Sequence, residues 1–270
     1  MPGPRSTYER IEERERRARK LTGLFMENLE QFTDKEEGPA LAVAGPRLQA
    51  DHWFKVFCYF CSLMVFLVIS ILAYLLGSIP SAVWLGRAFR GIDLREHGSG
   101  NAGATNAFRV LGSPIGVLVL LMDAGKAVLA VMLAGFQPVF ERGSEAFILL
   151  QIGLGLLAVV GHIFPVFAGF RGGKGVAALL GAGLAIYPFS ALCAMAVYVF
   201  TFLLSRYSAL GSLLAASSYP LWMMLVFKTD SLALRVFSLL VPLLVFYTHR
   251  SNISRLLKGE EKRVFGSKIK

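Results

Sequence analysis

The chain has 270 residues, of which 55% are hydrophobic, and its formal net charge is +10 at pH 7. A soluble domain of this length could not bury so much apolar surface, so the composition excludes an ordinary soluble enzyme and indicates a membrane protein. The positive charge does not indicate nucleic-acid binding. Seven of the cations lie in the last 21 residues, where a basic segment beside a membrane is the ordinary explanation.

Residues 1–52 differ from the rest of the chain. The stretch "YERIEERERRARK" mixes both charges and has almost no apolar stripe, and "KEEGPALAVAGPR" adds Gly-Pro breaks. This pattern predicts a solvated helix followed by a linker. It lacks the apolar core and cleavage site of a signal peptide, so we interpret residues 1–52 as an extension outside the functional unit.

Long apolar runs fill the remainder of the chain. Each is close to or above the roughly 20 residues that a helix needs to cross the hydrocarbon core. They are continuously apolar rather than alternating, which favours helices over a β-barrel. The sequence therefore predicts an all-α polytopic membrane protein. The runs cover residues 54–76, 111–136, 146–168, 176–204, 207–227 and 232–247.

The number of spans depends on the run 176–204, which is interrupted by "YP" at Tyr187–Pro188. Proline removes a helix hydrogen bond and disfavours helix at the residue before it, so this run divides into two short spans. The result is about seven spans, with the N-terminus outside. Six spans with a re-entrant segment are the alternative. The membrane domain is predicted to cover 53–265, with a basic tail at 266–270.

Basic residues orient the predicted spans. The loop 77–110, the loop 170–175 and the C-terminal segment carry Arg and Lys, whereas the loop near 137–145 carries Arg142 beside two glutamates. This asymmetry places the basic segments on the cytoplasmic side.

Four polar segments are predicted to lie at or just beneath the cytoplasmic side. Their glycines let backbone N–H groups approach a ligand and their Arg and Lys residues supply charge, a combination that binds phosphate. "FRGGKG" is not a nucleotide P-loop, because Gly175 follows the lysine where a Ser or Thr is required. Tight turns with positive-inside arginines are the alternative interpretation. The segments are "GSIPSAVWLGR", "DLREHGSGNAGATNAFR", "GHIFPVFAGFRGGKGVA" and "THRSNISRLLKGEEKR".

The same segments carry a family resemblance. "GSIPS", "GSGNAGATN", "GHIFPVFAGFRGGKGVA" and "HRSNISRLLKGEEK" resemble, in order, the signature segments of the PlsY family of bacterial membrane glycerol-3-phosphate acyltransferases, across residues 70–265. The resemblance implies a seven-helix enzyme of the inner membrane, with its active site facing the cytoplasm. It would transfer a fatty acyl group from acyl phosphate to the 1-hydroxyl of glycerol 3-phosphate, giving lysophosphatidic acid and phosphate. The implied partners are these two substrates and membrane lipid; the sequence identifies no protein partner.

The resemblance also implies site residues. Lys174 and Arg95 would contact phosphate, and Ser81 and Asn101 would hydrogen-bond substrate. Further substrate-binding residues come from the glycine-rich segments and from the "GHIFP" motif. These are Ser99, Gly100, Gly103, Thr105, Asn106, Arg109, His162, Gly172, Gly173 and Gly175.

The implied reaction requires few catalytic groups. A mixed anhydride already has a good leaving group, so neither a cofactor nor a metal is required, and positioning, proton removal and oxyanion stabilisation remain. His249 and Asn252 are three residues apart, on one face of a helix, and match the family's catalytic pair. The proton would pass to a phosphate oxygen of the substrate or to His249. The three cysteines fall in apolar runs and are predicted to act as small hydrophobic residues.

Two features need separate interpretation. Ala209 stands where the family carries a serine, so Ser208 is predicted to serve as a catalytic residue, with Ser212 as the alternative. Asp123 and Lys126 lie three apart within a span, which predicts a structural ion pair first and a contribution to the substrate cavity second.

Two other functions are compatible with the sequence. A degenerate, non-catalytic paralogue is one alternative, because of Ala209. A membrane transporter of a phosphorylated anion is another, although the chain shows no internal repeat. None of the four histidines is followed five residues later by Asp, which argues against an acyl-CoA-dependent acyltransferase of that type.

Overall fold

The computed structural model describes the backbone of residues 46–264 and the side chains of residues 56–264. Every regular element in this range is a helix, which confirms the predicted all-α class. The charged part of the extension, residues 1–45, and the tail at 266–270 lie outside the described residues. The first described helix begins at Pro46, so the end of the predicted linker is helical.

Ten helices, two short 3₁₀ turns between them and two terminal extensions make up the described chain. The 3₁₀ turns are Leu94–Glu96 and Val166–Ala168. Helix α4 continues into a 3₁₀ turn at Leu133–Phe136, and α8 continues into a π turn at Trp222–Val226. The helices are α1 Pro46–Gly77, α2 Ser81–Arg90, α3 Ala104–Val110, α4 Ser113–Met132, α5 Glu145–Ile163, α6 Val176–Ile186, α7 Pro188–Ser205, α8 Ser208–Leu221, α9 Leu232–Thr248 and α10 Arg250–Leu257.

Several helices are suited to a membrane. Within the described residues, five are long and apolar enough to cross one, and the number rises to six if α9 and α10, bent by 65°, count as one broken span. Helix α6 is apolar but shorter. The predicted break at Tyr187–Pro188 is confirmed, since α6 ends at Ile186 and α7 begins at Pro188. A total of about seven spans and the outside N-terminus stay predictions.

Small side chains allow the central helices to pack closely. Helix α4 packs most extensively against α6, and α5 packs against both. Ala127 and Ala130 of α4 and Ala178 of α6 are completely buried. Small residues at helix contacts let backbones approach each other, which favours association of helices in lipid. Large apolar side chains such as Leu203 and Leu243 instead point outward and remain exposed, as expected of a surface in contact with acyl chains.

Hydrogen bonds between α5 and α9 fix the start of α9, the helix that leads to the predicted catalytic pair. The Ser231 hydroxyl accepts a hydrogen bond from the Leu234 amide and so caps the N-terminus of α9. It also donates to Glu145, the first residue of α5, whose carboxylate accepts a bond from the Leu232 amide at 2.9 Å. The contact sets the start of α9 against α5, and the other end of α9 leads to His249.

Candidate active site

A cavity of about 780 Å³ gathers residues that are far apart in the chain. The loop before α3, the start of α6, helices α7 and α8 and the bend between α9 and α10 all contribute to its wall. Twelve of the predicted site residues line it. They are Ser99, Gly100, Asn101, Gly103, Thr105, Arg109, His162, Lys174, Gly175, Ser208, His249 and Asn252.

Four polar side chains form a chain of hydrogen bonds at one end of the cavity. The Lys174 ammonium donates to Asn252 Oδ1. Asn252 Nδ2 donates to Glu261 Oε1 at 2.8 Å, and Arg255 Nε donates to Glu261 Oε2 at 2.8 Å. These four side chains and Arg109 are here called the cation cluster. The hydrogen bonds of the cluster join the loop before α6 to α10 and to the segment after α10.

The cation cluster carries more positive than negative charge. The pKa of Lys174 is lowered to about 8, chiefly because the side chain is buried; the Glu261 carboxylate opposes this shift, and Arg255 and Arg109 add to it. Arg109 Nη2 donates to the Lys262 carbonyl at 2.7 Å, while its Nε is buried without a hydrogen-bond partner. Burial also lowers the pKa of Arg109. Three cations around one carboxylate favour a bound anion.

His249 lies at the bend between α9 and α10 and is only 4% exposed. Its Nδ1 is 2.9 Å from the Val245 carbonyl, which can only accept, so Nδ1 carries the proton in the neutral ring. Nε2 then keeps its lone pair and can accept a proton. Asn252 follows one turn later, and both side chains line the cavity.

The Ser208 hydroxyl lies between two other hydroxyls. It is 2.9 Å from Thr105 Oγ1 and 3.0 Å from the Tyr198 hydroxyl. Ser212 is the predicted alternative to Ser208, and its hydroxyl donates a hydrogen bond to the Ser208 carbonyl. Ala209 is buried beside them in the cavity wall. The structure thus holds a serine hydroxyl next to the position where the family serine is missing.

A second ionic group lies deeper in the helices. Asp123 Oδ1 is 2.9 Å from Lys126 Nζ and accepts a hydrogen bond from Ser81 Oγ at 3.0 Å. His162 Nδ1 is 3.5 Å from the same oxygen, and Lys126 also donates to the Ile79 carbonyl. The predicted Asp123–Lys126 ion pair is confirmed. Asp123 and His162 also border the cavity, so this buried ion pair forms part of its wall.

Five predicted site residues do not line the cavity: Ser81, Arg95, Asn106, Gly172 and Gly173. Ser81 is buried with Asp123, as described above. Arg95 pairs with Asp93 at 2.7 Å and donates to the Ala168 carbonyl, so it ties its own loop to the turn after α5. Arg95 holds the pKa of Asp93 well below its usual range.

Asn106 and the two glycines shape the loops behind the cavity. The Asn106 side chain is completely buried, accepts from the Ser99 amide and donates to two carbonyls of the loop. The amides of Gly172 and Gly173 donate to the carbonyls of Ile163 and His162, so they are not available to a phosphate. A Cβ on Gly172 would collide with the backbone carbonyl of His162, and a Cβ on Gly173 would collide with the buried His162 ring, which explains the two glycines.

Some cavity residues were not predicted from sequence. Arg255 could have been found, because it lies three residues after Asn252 on the same helical face. Glu261 lies within the quoted "HRSNISRLLKGEEK" segment, but it follows the last helix, so no helical spacing relates it to Asn252. Tyr198 sits in an apolar run and gave no signal. Among the side chains of residues 56–264, no group of His, Cys, Asp and Glu could hold a metal ion.

Apart from the cation cluster and the polar groups described above, the cavity wall is mostly apolar. Alanines, branched aliphatic side chains and one phenylalanine of α6, α7, α8 and α9 supply this apolar part, and all of them are buried. These residues are Leu179, Ala191, Ala194, Ala216, Phe237, Val241 and Val245.

Comparison with known proteins gives a consistent result. The sequence profile of the family described as glycerol-3-phosphate acyltransferase matches residues 67–259. A protein of that name from Chlorobaculum tepidum is 41% identical over 231 residues, covering 76% of this chain and 100% of the relative. Another of the same name, from Fusobacterium nucleatum, is 38% identical over 201 residues, covering 74% of this chain and 98% of the relative.

Two solved structures are also similar. They are crystal structures of PlsY (YgiH), an integral membrane glycerol 3-phosphate acyltransferase, in its glycerol 3-phosphate form and its lysophosphatidic acid form. Each aligns with a TM-score of 0.65 at 39% identity and covers 74% of this chain. The alignments cover 96% and 95% of the two PlsY chains.

Proposed function

Because the chain belongs to the glycerol-3-phosphate acyltransferase family, we propose that it transfers a fatty acyl group from acyl phosphate to the 1-hydroxyl of glycerol 3-phosphate. The products are lysophosphatidic acid and inorganic phosphate, so the reaction is an early step of phospholipid synthesis. The observation that supports this most is one cavity with an excess of positive charge at one end and an apolar wall at the other.

The cation cluster is the binding site for glycerol 3-phosphate. Lys174, Arg109 and Arg255 surround a single carboxylate, Glu261, and so leave an excess of positive charge. A phosphate monoester carries a charge of about −1.5 to −2 at neutral pH, which this excess balances. The Lys174 ammonium has three N–H donors and uses one on Asn252, so two can point to phosphate oxygens.

The apolar part of the cavity receives the acyl chain. Burying a methylene group contributes about 0.8 kcal/mol, so an apolar wall favours a long chain over a short one. Ala194 and Ala216 keep this part open, since larger side chains at these positions would fill it. Acyl phosphate thereby enters with its chain among the helices and its phosphate near the cations.

The chemical step joins these two ends. The 1-hydroxyl oxygen attacks the acyl carbonyl carbon, the bond from that carbon to the phosphate oxygen breaks, and phosphate leaves with the electron pair. The proton of the hydroxyl passes either to a phosphate oxygen of the substrate or to His249 Nε2. Asn252 Nδ2 has a second hydrogen beyond the one given to Glu261, and it can donate to the developing oxyanion.

The protein is proposed to lie in the bacterial inner membrane with this cavity toward the cytoplasm. The basic loop before α3, the loop before α6 and the segment after α10 meet at the cavity, which supports their lying on one side. Positive charge favours the cytoplasmic side of a membrane. A charged phosphate ester approaches from water and an acyl chain from lipid, so both proposed substrates can reach a cavity at this interface.

The decisive experiment measures phosphate release by the purified protein in detergent. Palmitoyl phosphate is supplied with and without glycerol 3-phosphate, without added metal, and palmitoyl-CoA serves as the matched donor control. We expect phosphate release that requires glycerol 3-phosphate and is accompanied by equal amounts of lysophosphatidic acid. Release without glycerol 3-phosphate would indicate a hydrolase. No release from a sample that still binds glycerol 3-phosphate would indicate a non-catalytic paralogue.

A further inference from the structure

We propose that Tyr219 determines which acyl chains the protein accepts, because its ring closes the inner end of the cavity. The residues that form this end, here called the cavity floor, are Gly183, Ala191, Tyr219 and Phe237. The proposal rests on the acyltransferase function above. It adds a limit on the length of the acyl chain, which that function leaves open.

The cavity wall stops at the floor on four helices. Helices α6 and α8 run inward from the cation cluster, and the last residue of each that lines the cavity is Gly183 or Tyr219, respectively. Helices α7 and α9 run back toward the cation cluster, and their first lining residues are Ala191 and Phe237. Each helix therefore contributes one residue to the inner end of the cavity.

The floor residues contact one another. The Tyr219 hydroxyl faces Gly183, because a Cβ placed on this glycine would lie 3.5 Å from the hydroxyl oxygen and 3.3 Å from the Ala191 Cβ. The rings of Tyr219 and Phe237 meet edge to face, with their centroids 6.2 Å apart. Tyr219 is only 5% exposed. The missing side chain at Gly183 thus lets the tyrosine reach across from α8 to α6.

Close packing continues beyond the floor. Met223 follows Tyr219 by one turn and is completely buried, yet it does not line the cavity. The Ser190 hydroxyl donates to the Met223 sulfur at 3.7 Å, and Ser190 is also completely buried. The inner end of the cavity is therefore bounded by packed protein and does not open to lipid there.

The depth of the floor matches an acyl chain of a membrane lipid. Tyr219 follows Ser208 by 11 residues in α8, which corresponds to about 16 Å at 1.5 Å per residue. In α9, the 12 residues from Phe237 to His249 correspond to about 18 Å. The hydrocarbon core of a bilayer is about 30 Å thick, so the chains of one leaflet fill about 15 Å. A chain of this length reaches the floor while its carbonyl lies near the cation cluster.

Chain length therefore affects binding in two opposite ways. Each methylene group that the apolar wall buries favours binding. A chain longer than the cavity has to displace the Tyr219 ring or fold back, and a closely packed interior resists both. The affinity of the wild type should rise with chain length until the chain reaches the floor, and should fall beyond it.

The first test measures binding and needs no turnover. Alkyl phosphates carry no acyl group to transfer, and a series from dodecyl to eicosyl phosphate is added to the full-length protein in detergent. The probe concentration that gives half of the maximal rise in Tm measures affinity. Tyr219→Ala should raise the affinity for eicosyl phosphate relative to hexadecyl phosphate by about tenfold, as expected for about two more buried methylene groups. Comparing variant and wild type with the same probe cancels its partitioning into micelles.

Three further variants separate the floor from general loosening of the protein. Ala216→Leu adds bulk one turn closer to the cation cluster and should move the preference to shorter chains. Tyr219→Phe is the conservative variant. It keeps the ring and loses a hydroxyl that has no hydrogen-bond partner among the described residues, so it should keep the wild-type preference. Leu154→Ala removes a buried side chain of α5 that does not line the cavity, and it is the control for loosening.

The second test follows acyl transfer with acyl phosphates of the same chain lengths. Tyr219→Ala should raise kcat/KM for eicosanoyl phosphate relative to palmitoyl phosphate by about tenfold. KM for glycerol 3-phosphate should stay at the wild-type value, because the substitution leaves the cation cluster intact. A purely structural role of Tyr219 would lower the activity with every chain length alike.

Three results would overturn the proposal. The first is a wild-type preference in both Tyr219→Ala and Ala216→Leu. The second is an equal shift in Leu154→Ala. The third is a wild-type affinity that keeps rising through eicosyl phosphate, which would show that the chain continues into lipid. If the alkyl phosphates give the expected shifts but no acyl transfer occurs, the proposed function fails and the role of the floor is supported.

Discussion

The protein contains two ionic groups that differ in balance. In the buried ion pair, Asp123 faces Lys126, both side chains are almost fully buried, and the charges cancel. In the cation cluster, Lys174, Arg109 and Arg255 share one carboxylate. Their positive charge is therefore not neutralised within the protein.

The difference separates a structural group from a binding group. Burying an ion pair costs desolvation energy that the mutual attraction offsets only when the partners match, as Asp123 and Lys126 do. The cation cluster lacks this match, and the proposed function has the phosphate of the substrate supply the missing negative charge. Buried charged residues by themselves therefore do not indicate a binding site. An excess of positive charge around a cavity indicates a site for an anion.

The largest expected effect comes from breaking the buried ion pair. Asp123→Ala leaves Lys126 buried without its carboxylate, and we expect the free energy of unfolding to fall by about 3–5 kcal/mol. Unfolding of the purified protein by SDS titration in mixed micelles measures this. Ser81→Ala is the matched control, because it loses one hydrogen bond to the same carboxylate, about 1 kcal/mol. Equal stability of Asp123→Ala and the wild type would show that the pair is not structural.

The opposite result is expected in the cation cluster. Lys174→Met removes a poorly solvated charge among other cations, so it should leave stability unchanged or raised. It should lower kcat/KM for glycerol 3-phosphate by about 100-fold or more, as expected for losing a buried charge-assisted contact. Steady-state kinetics and the same SDS titration give both values. A protein that loses stability but keeps its kcat/KM would reverse the assignment of the two groups.

The pH dependence sharpens the comparison further. Lys174 has a pKa of about 8, and in the proposed function it binds phosphate as the cation, so kcat/KM for glycerol 3-phosphate should fall as pH rises above about 8. Lys174→Arg stays protonated there and should move this alkaline limb to higher pH. An unchanged limb in Lys174→Arg would assign the titration to another group.

A smaller effect is expected at the neutral Ser208 hydroxyl. Ser208→Ala loses contacts to Thr105 and Tyr198 and should lower kcat by about tenfold at most, the size expected for a neutral hydrogen bond. Adding Ala209→Ser to this variant should restore part of the activity. If Ser208→Ala abolishes turnover, Ser208 takes part in the chemical step directly.

The smallest effect is expected from the N-terminal extension, which is distant in sequence from both ionic groups. Deleting residues 1–45 should leave kcat and KM unchanged, because every residue of the two groups lies beyond residue 80. Kinetics of the truncated protein in detergent, after gel filtration to verify its dispersion, would check this. A large loss in a well-dispersed sample would show that the extension supports catalysis.

The features that depend on neighbouring residues could be predicted from the amino-acid sequence. Apolar runs long enough for lipid force helices, Pro188 ends one helix and begins the next, and a spacing of three pairs Asp123 with Lys126. The motif residues Lys174, His249 and Asn252 were also found, because the resemblance rests on contiguous segments. Each of these features depends only on local geometry or on whether a segment is surrounded by lipid or by water.

Which of the predicted site residues face the cavity depends on how the helices and loops pack. In the folded protein Arg95 pairs with Asp93, and the Asn106 side chain hydrogen-bonds within its own loop. The amides of Gly172 and Gly173 donate to carbonyls at the end of α5. Glu261 accepts a hydrogen bond from Asn252, although the chain changes direction at Gly259 between these two residues. The direction of a side chain in a loop depends on partners distant in sequence, and no local pattern encodes where the chain returns.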